Sequence, residues 1–196
     1  DSGIGNIGII PADWKICRLK DIGYLYGGLV GKSGDDFNIV DEDKFSYFIP
    51  FTNIFNNHII DIHKLSKVKT KEGEIQNNVK KNDLLFLMSS EDYDGIGKSS
   101  LCFSEIENLY LNSFCKGFRI IDNEIYSKYL HYYLITEMAR DLLRSEAKGF
   151  IRINLRQDKL ACCPIIVPPF QLQQQIANFL DDKCADIDQL IALQQQ

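Results

Sequence analysis

No stretch of the 196-residue chain approaches the roughly 18 consecutive apolar residues that a membrane helix needs. The opening, DSGIGNIGIIPADWK, lacks a basic region followed by an apolar core, so no secretory leader is expected there. It also begins without methionine, as a trimmed chain or a segment of a longer one would. The six cysteines (Cys17, Cys102, Cys115, Cys162, Cys163 and Cys184) contain no C-x-x-C pair, which argues against a zinc knuckle. Vicinal Cys162 and Cys163 sit in an apolar stretch, where thiols behave as small hydrophobes. Reduced thiols and a cytoplasmic location are the expectation. The three histidines, His58, His63 and His131, show no H-E-x-x-H spacing and read as surface or packing residues. Neither a metal nor a cofactor is expected.

Cofactor and catalytic motifs are incomplete. Gly31-Lys32-Ser33 matches the end of a phosphate-binding loop, but Tyr26 stands where the opening glycine belongs. Gly97-Lys98-Ser99 repeats that ending, with Asp92 at the glycine position. Without the first glycine the loop cannot turn its N–H groups onto phosphates. Val167-Pro168-Pro169-Phe170 approaches the tetrad of amino-methyltransferases, whose polar first residue accepts a hydrogen bond from the target amine. Val167 has no side-chain acceptor, and no G-x-G loop precedes it. Acids pair at Asp35–Asp36, Asp41–Glu42–Asp43 and Glu91–Asp92. Glu91, Asp92, Asp94 and Lys98 imitate a metal-holding nuclease centre. A stand-alone metal-dependent nuclease or DNA-modifying enzyme is therefore the second reading.

The net charge is −5, but its distribution is uneven. Residues 64–81 hold six lysines (64, 67, 69, 71, 80 and 81) against Glu72 and Glu74. Residues 148–160 hold Lys148, Arg152, Arg156 and Lys159 against Asp158. Residues 169–196 set Lys183 against Asp181, Asp182, Asp186 and Asp188. Charge runs are usually solvated faces, so this pattern leaves nucleic-acid binding open without arguing for it.

The first part of the chain reads as β-rich. Residues 46–54, 79–88, 99–103 and 112–121 are aromatic and branched, and Asn, Asp and Gly clusters separate them. Gly27, Gly28, Gly31 and Gly34 mark a loop near Lys32 and Ser33. A helix is predicted over 127–147, capped by Ser127, with the stripe Leu130, Leu134, Met138 and Leu142 packing on the sheet and Gly149 as its stop. A buried strand follows at 163–167, closed by Pro168 and Pro169. Pro169 then opens a last helix in which Leu172, Ile176, Leu180, Cys184, Ile187 and Ile191 recur at steps of four and three, widened by Phe179 and Leu190. That helix runs without a stop into Gln194, Gln195 and Gln196, and it either folds back on its own domain or pairs with another helix. The fold class expected is α+β: a β-rich domain with packed helices, then a long amphipathic helix.

Four segments together resemble one repeat of the specificity subunit of type I restriction–modification enzymes. They are DSGIGNIGIIPADWKICRLKDI; GLVGKSGDDF with YFIPFTNIFNNHIID; VKKNDLLFLMSSEDYDGIGKSS with YLNSFCKGFRI; and AKGFIRINLRQDKLACCPIIVPPFQLQQQIANFLDDKCADIDQLIA. The last is the most specific: a Gly-x-x-Arg-x-Asn turn, a strand, a double proline and a glutamine-rich amphipathic helix follow in order. Phe150 and Met88 depart from residues common at their places. The resemblance implies a target-recognition domain over 1–168 and a coiled-coil-like spacer helix over 169–196. It implies a non-catalytic subunit that reads a short half-site of double-stranded DNA, while modification (methyltransferase) and restriction subunits do the chemistry. A second recognition domain, or a second copy, would pair through the helix. On that reading the candidate DNA contacts are Lys32, Ser33, Lys67, Lys69, Ser89, Ser90, Lys98, Ser99, Arg152, Asn154 and Arg156. Arginine suits guanine, asparagine suits adenine, and lysine suits phosphate. The pairing residues would be Leu172, Ile176, Phe179, Leu180, Ile187, Leu190 and Ile191.

Overall fold

The computed structural model describes residues 8–40, 44–71 and 73–194. The opening DSGIGNI, the acids Asp41–Glu42–Asp43, Glu72, and the tail residues Gln195 and Gln196 lie outside the described residues. Along the chain come β1 (Lys15–Arg18), α1 (Leu19–Ile22), β2 (Gly23–Gly27), β3 (Phe45–Ile49), α2 (Phe51–Asn56) and β4 (Ser66–Lys69). Then follow β5 (Leu84–Leu87), β6 (Ser89–Ser90), β7 (Ser99–Leu101), β8 (Leu109–Leu111) and β9 (Cys115–Ile120). The last part holds α3 (Ser127–Ile135), α4 (Glu137–Glu146), β10 (Ile153–Asn154), α5 (Gln157–Ala161), β11 (Pro164–Val167) and α6 (Phe170–Gln194). The fold is α+β, as expected, with a long C-terminal helix.

The strand β5 explains the layering. Its run of four apolar residues has no polar face, so both faces must be covered. Leu84 and Phe86 point to one core, with Leu130, Leu134 and Leu143 of the helices and Ile165 of β11. Leu85 and Leu87 point to the other, with Ile49, Ile54, Leu109 and Leu111. The alternation is the period of two that a strand imposes. Around it lies an antiparallel sheet in the order β2-β9-β5-β7. The second core joins it to a three-stranded sheet, β4-β3-β8, in which β3 runs antiparallel to β4 and parallel to β8. The ribbon β1-β11 ties the two ends of the domain together.

One polar cluster crosses this packing. Asp83 is 1% exposed, and its carboxylate accepts from the Tyr26 hydroxyl at 2.6 Å, from Arg119 Nε at 2.9 Å and from the Lys80 N–H at 2.8 Å. The Tyr26 ring lies across Gly117, where an added Cβ would sit 2.0 Å from the ring. Glycine there lets the hydroxyl reach inward, so the buried charge is fully partnered.

Several elements differ from those expected. The stretch 46–54 is strand only to Ile49; Pro50 then caps α2, because proline suits a helix start and not a ladder. The helix expected over 127–147 is two helices. Thr136 turns extended (ψ 147°), and its hydroxyl accepts from the Ala139 N–H at 3.3 Å, capping α4. Tyr126, not Ser127, precedes α3 as its cap. Residues 15–18 and 66–69, read as part of the entry segment and of the basic run, are strands, and so are residues 23–27, which end where the glycine loop begins.

The first three turns of α6 are docked on the domain. Gln173 and Ala177 are 0% exposed. Gln173 accepts from the Tyr126 N–H at 2.9 Å and donates to the carbonyls of Glu124 and Pro168, each at 2.9 Å. Asp181 accepts from the Tyr132 hydroxyl at 2.7 Å and pairs with Lys128. From Asp182 to Gln194 every side chain is exposed.

Candidate functional site

β6 and β10 are each two residues long, yet they bring two predicted turns together. Ser90 pairs with Ile153 and Ser89 with Asn154, antiparallel. A further bridge joins Lys148 to Asn154, with N–H···O bonds of 3.0 and 2.9 Å, so residues 149–153 form a closed tip. Gly149 allows that closure: its φ is +149°, and a Cβ there would sit 2.0 Å from the Arg152 carbonyl. The Asn154 amide donates to the same carbonyl at 3.0 Å. A cleft of about 360 Å³ opens between the two turns. Phe51 and Phe55, stacked 6.1 Å apart, and Phe114 form its apolar wall; Ser89, Ser90, Glu91, Asp92 and Arg152 are its polar groups.

Arg152 sits 5.6 Å from the Phe114 ring centre and has no carboxylate partner among the described residues. An aromatic platform holds its guanidinium while leaving the N–H fork unengaged. The buried Ser89 Oγ, lining this cleft, has no protein partner.

A second cleft, of about 390 Å³, shares Phe55 with the first. Lys98 lies 4.0 Å over the Phe55 ring and donates to its carbonyl at 3.2 Å. Ser99 lines the same cleft, and its buried Oγ is also without a protein partner. Arg140 was not singled out from sequence. It is 5% exposed and donates to the carbonyls of Ile96 (2.8 Å) and Asp94 (2.6 Å), pinning the loop between the clefts. Burial lowers its pKa, with Arg144 adding to the effect. Its signal was hidden: it lies midway between Met138 and Leu142, two places from each, yet Ala139, Arg140 and Leu143 are the buried residues of α4.

The remaining predicted contacts lie elsewhere. Lys32 is engaged within the protein: its side chain is 6% exposed and its ammonium meets Glu74 at 2.6 Å and the Lys69 carbonyl at 2.7 Å. Hydrogen bonds from Lys32, then from Gln76 and the Lys71 N–H, pull the Glu74 carboxyl down to about 2. Ser33 pairs with Asp36 around a short turn, its N–H donating at 2.8 Å. Lys67 lies 4.1 Å over the Phe45 ring, exposed, and Lys69 is half-buried on the same strand. Lys32 lines a third cleft that shares no residue with the first two. Arg156 is gripped by Asp158 at 2.9 and 3.0 Å, an exposed pair of small energetic weight.

The acids of the nuclease reading serve the loop. Asp92 accepts from the Gly95 N–H at 2.6 Å, and Asp94 is exposed, 3.7 Å from Arg144. No group of three or more potential metal ligands occurs among the described residues.

Comparison with known proteins agrees with the sequence resemblance. The model of the type I restriction modification DNA specificity domain matches residues 11–196. A putative type I restriction enzyme specificity subunit of Methanocaldococcus jannaschii, MjaX, is 30% identical over 181 residues, covering 90% of this chain and 40% of that protein. An HsdS subunit from Thermoanaerobacter tengcongensis shares the fold, with a TM-score of 0.72 over 96% of this chain and 46% of that one at 11% identity. The S subunit of a type I restriction-modification system from M. genitalium has a TM-score of 0.57 at 17% identity, over 96% of this chain and 42% of that one. The chain thus spans less than half the length of these relatives.

Proposed function

Given that the chain belongs to the type I restriction modification DNA specificity domain family, we propose that it reads a short half-site of double-stranded DNA through the Ser89–Ser90 and Arg152–Asn154 turns. The carrying observation is Arg152 itself: an arginine held on Phe114, with no carboxylate partner among the described residues, beside hydroxyl groups in a cleft between paired turns. An unengaged planar fork is the group that reads guanine O6 and N7 in a major groove. Lys67, exposed on β4, supplies a phosphate contact. The chain is a recognition element without catalysis of its own, and methyltransferase and restriction subunits act on the DNA it selects. Its residues 1–168 form the recognition domain and 169–196 the spacer.

The exposed half of α6 is the pairing element of this reading. Ile187 (54% exposed) and Ile191 (47%) extend the seam that begins at Leu180, and Phe179 and Leu190 flank it. Leu172 and Ile176 lie half-buried in the docked turns. Residues 182–194 reach about 20 Å beyond the domain, a rod that sets the distance to a second recognition domain or a second copy.

Competition binding on duplexes of differing sequence tests the reading. Arg152→Ala should weaken the preferred duplex by about 1–3 kcal/mol and leave other duplexes nearly unchanged. Lys67→Ala should lower all of them together and flatten the salt dependence. Equal binding by both variants and the parent would place the DNA surface elsewhere.

A further inference from the structure

We infer that Phe150 and Ile151 form an apolar wedge that enters the DNA base stack at the edge of the half-site, opening one base step and bending the duplex. This rests on the DNA reading proposed above. Phe150 is 100% exposed and Ile151 is 86% exposed, side by side at the closed tip of residues 149–153. Scattered apolar residues are ordinary on surfaces, but these two are held out. The tip's shape is fixed by the Lys148–Asn154 bridge, by Gly149 and by the Asn154 amide, none of which involves either side chain. The two residues thus contribute nothing to closing the tip, and their contact area lies in whatever meets it.

The surroundings specify that occupant. Lys148 and Arg152 flank the pair, and neither has a carboxylate partner among the described residues. Arg152 also lines the cleft between the turns. An apolar point with a cation on either side of it in the chain fits a polymer with an anionic outside and a stacked, apolar inside. Phenylalanine and isoleucine are residue types that unstack base steps in this way.

The test uses the protein bound to duplexes of its selected sequence, with 2-aminopurine placed at each position in turn. One position should brighten several-fold on binding, and a fluorescence-transfer measurement should show a bent duplex. The Phe150→Ser/Ile151→Ser double variant should keep the parent's melting temperature, lose the bright position and the bend, and bind tenfold or more weakly. A bound parent that brightens no position, or a double variant that bends DNA like the parent, overturns the wedge and leaves the half-site reading intact. So does a double variant that keeps its DNA behaviour but loses self-association or binding to a methyltransferase subunit, which would make the tip a protein contact. A parent that prefers no sequence overturns the half-site reading and the wedge with it.

Discussion

Replacing Gln173 with alanine should unlock the junction between the domain and its last helix. The side chain is fully buried and engages three backbone groups at once: the Tyr126 N–H and the carbonyls of Glu124 and Pro168, each at 2.9 Å. Alanine strands all three. An orphaned buried polar group costs about 1–3 kcal/mol; carbonyls with a second lone pair lie at the low end, as do the part-buried Tyr126 N–H and Glu124 carbonyl. The lost methylenes leave a small cavity besides. The sum is about 3–5 kcal/mol, a large share of an ordinary domain's 5–15 kcal/mol. At about 2–4 °C per kcal/mol for a chain of this size, the melting temperature should fall by roughly 10 °C. Gln173→Glu separates geometry from volume. Its carboxylate still accepts from Tyr126 but faces two carbonyls with no proton to offer. It should be destabilised at neutral pH and partly recovered in acid, where the carboxyl regains one donor. Thermal melts of the three proteins between pH 4 and 7 decide the matter. An alanine variant melting within a degree of the parent would refute the claim that Gln173 fastens the helix.

Other perturbations probe separate parts of the structure. His131 is buried, and burial together with nearby His58 lowers its pKa to about 4, against an opposing pull from Asp181. Its neutral form is favoured in the fold, so its contribution is complete above the unfolded value near 6.5 and is lost as pH falls toward 4, about 3 kcal/mol in all. Melting of the His131→Phe variant should be less pH-dependent over that window, and an unchanged slope would contradict this. Asp83→Ala removes the partner of Arg119 and Tyr26 and should cost about 3–5 kcal/mol by urea unfolding, whereas a loss under 1 kcal/mol would show the cluster to be dispensable. Ile187→Asp with Leu190→Asp should abolish any helix-mediated self-association in sedimentation while shifting stability by no more than about 0.5 kcal/mol, because both residues are exposed. Loss of the fold in that variant would show this half of α6 to be docked.

What was legible in the sequence was local. The apolar stretch 79–88 and the stripe of the last helix are short-range patterns; the first holds β5 in its residues 84–87, and the last helix stands at 170–194. The interruption at Thr136 was not visible, because the apolar spacing continues across it and only the turn of the backbone reveals the cap. The surroundings of Lys32 were hidden for a related reason. Counting charges along 64–81 hides that Glu74 lies against an ammonium 42 residues away. The Asp83–Arg119 pair likewise depends on how β9 lies against β5. Ser89–Ser90 and Arg152–Asn154 were each named from residue type, but their pairing across some 60 positions belongs to tertiary structure. Gln173 passed as one polar residue in a glutamine-rich helix, since nothing nearby in sequence marks its three partners.

The central claim is that the Arg152 cleft reads bases. Its most direct measurement is selection of bound duplexes from a randomised pool, followed by sequencing, for the parent and for Arg152→Ala. The parent should enrich a short motif, and the variant should lose preference at one position of it, with the neighbouring positions kept. A parent that enriches no motif, or a variant whose motif matches the parent's at every position, would contradict it.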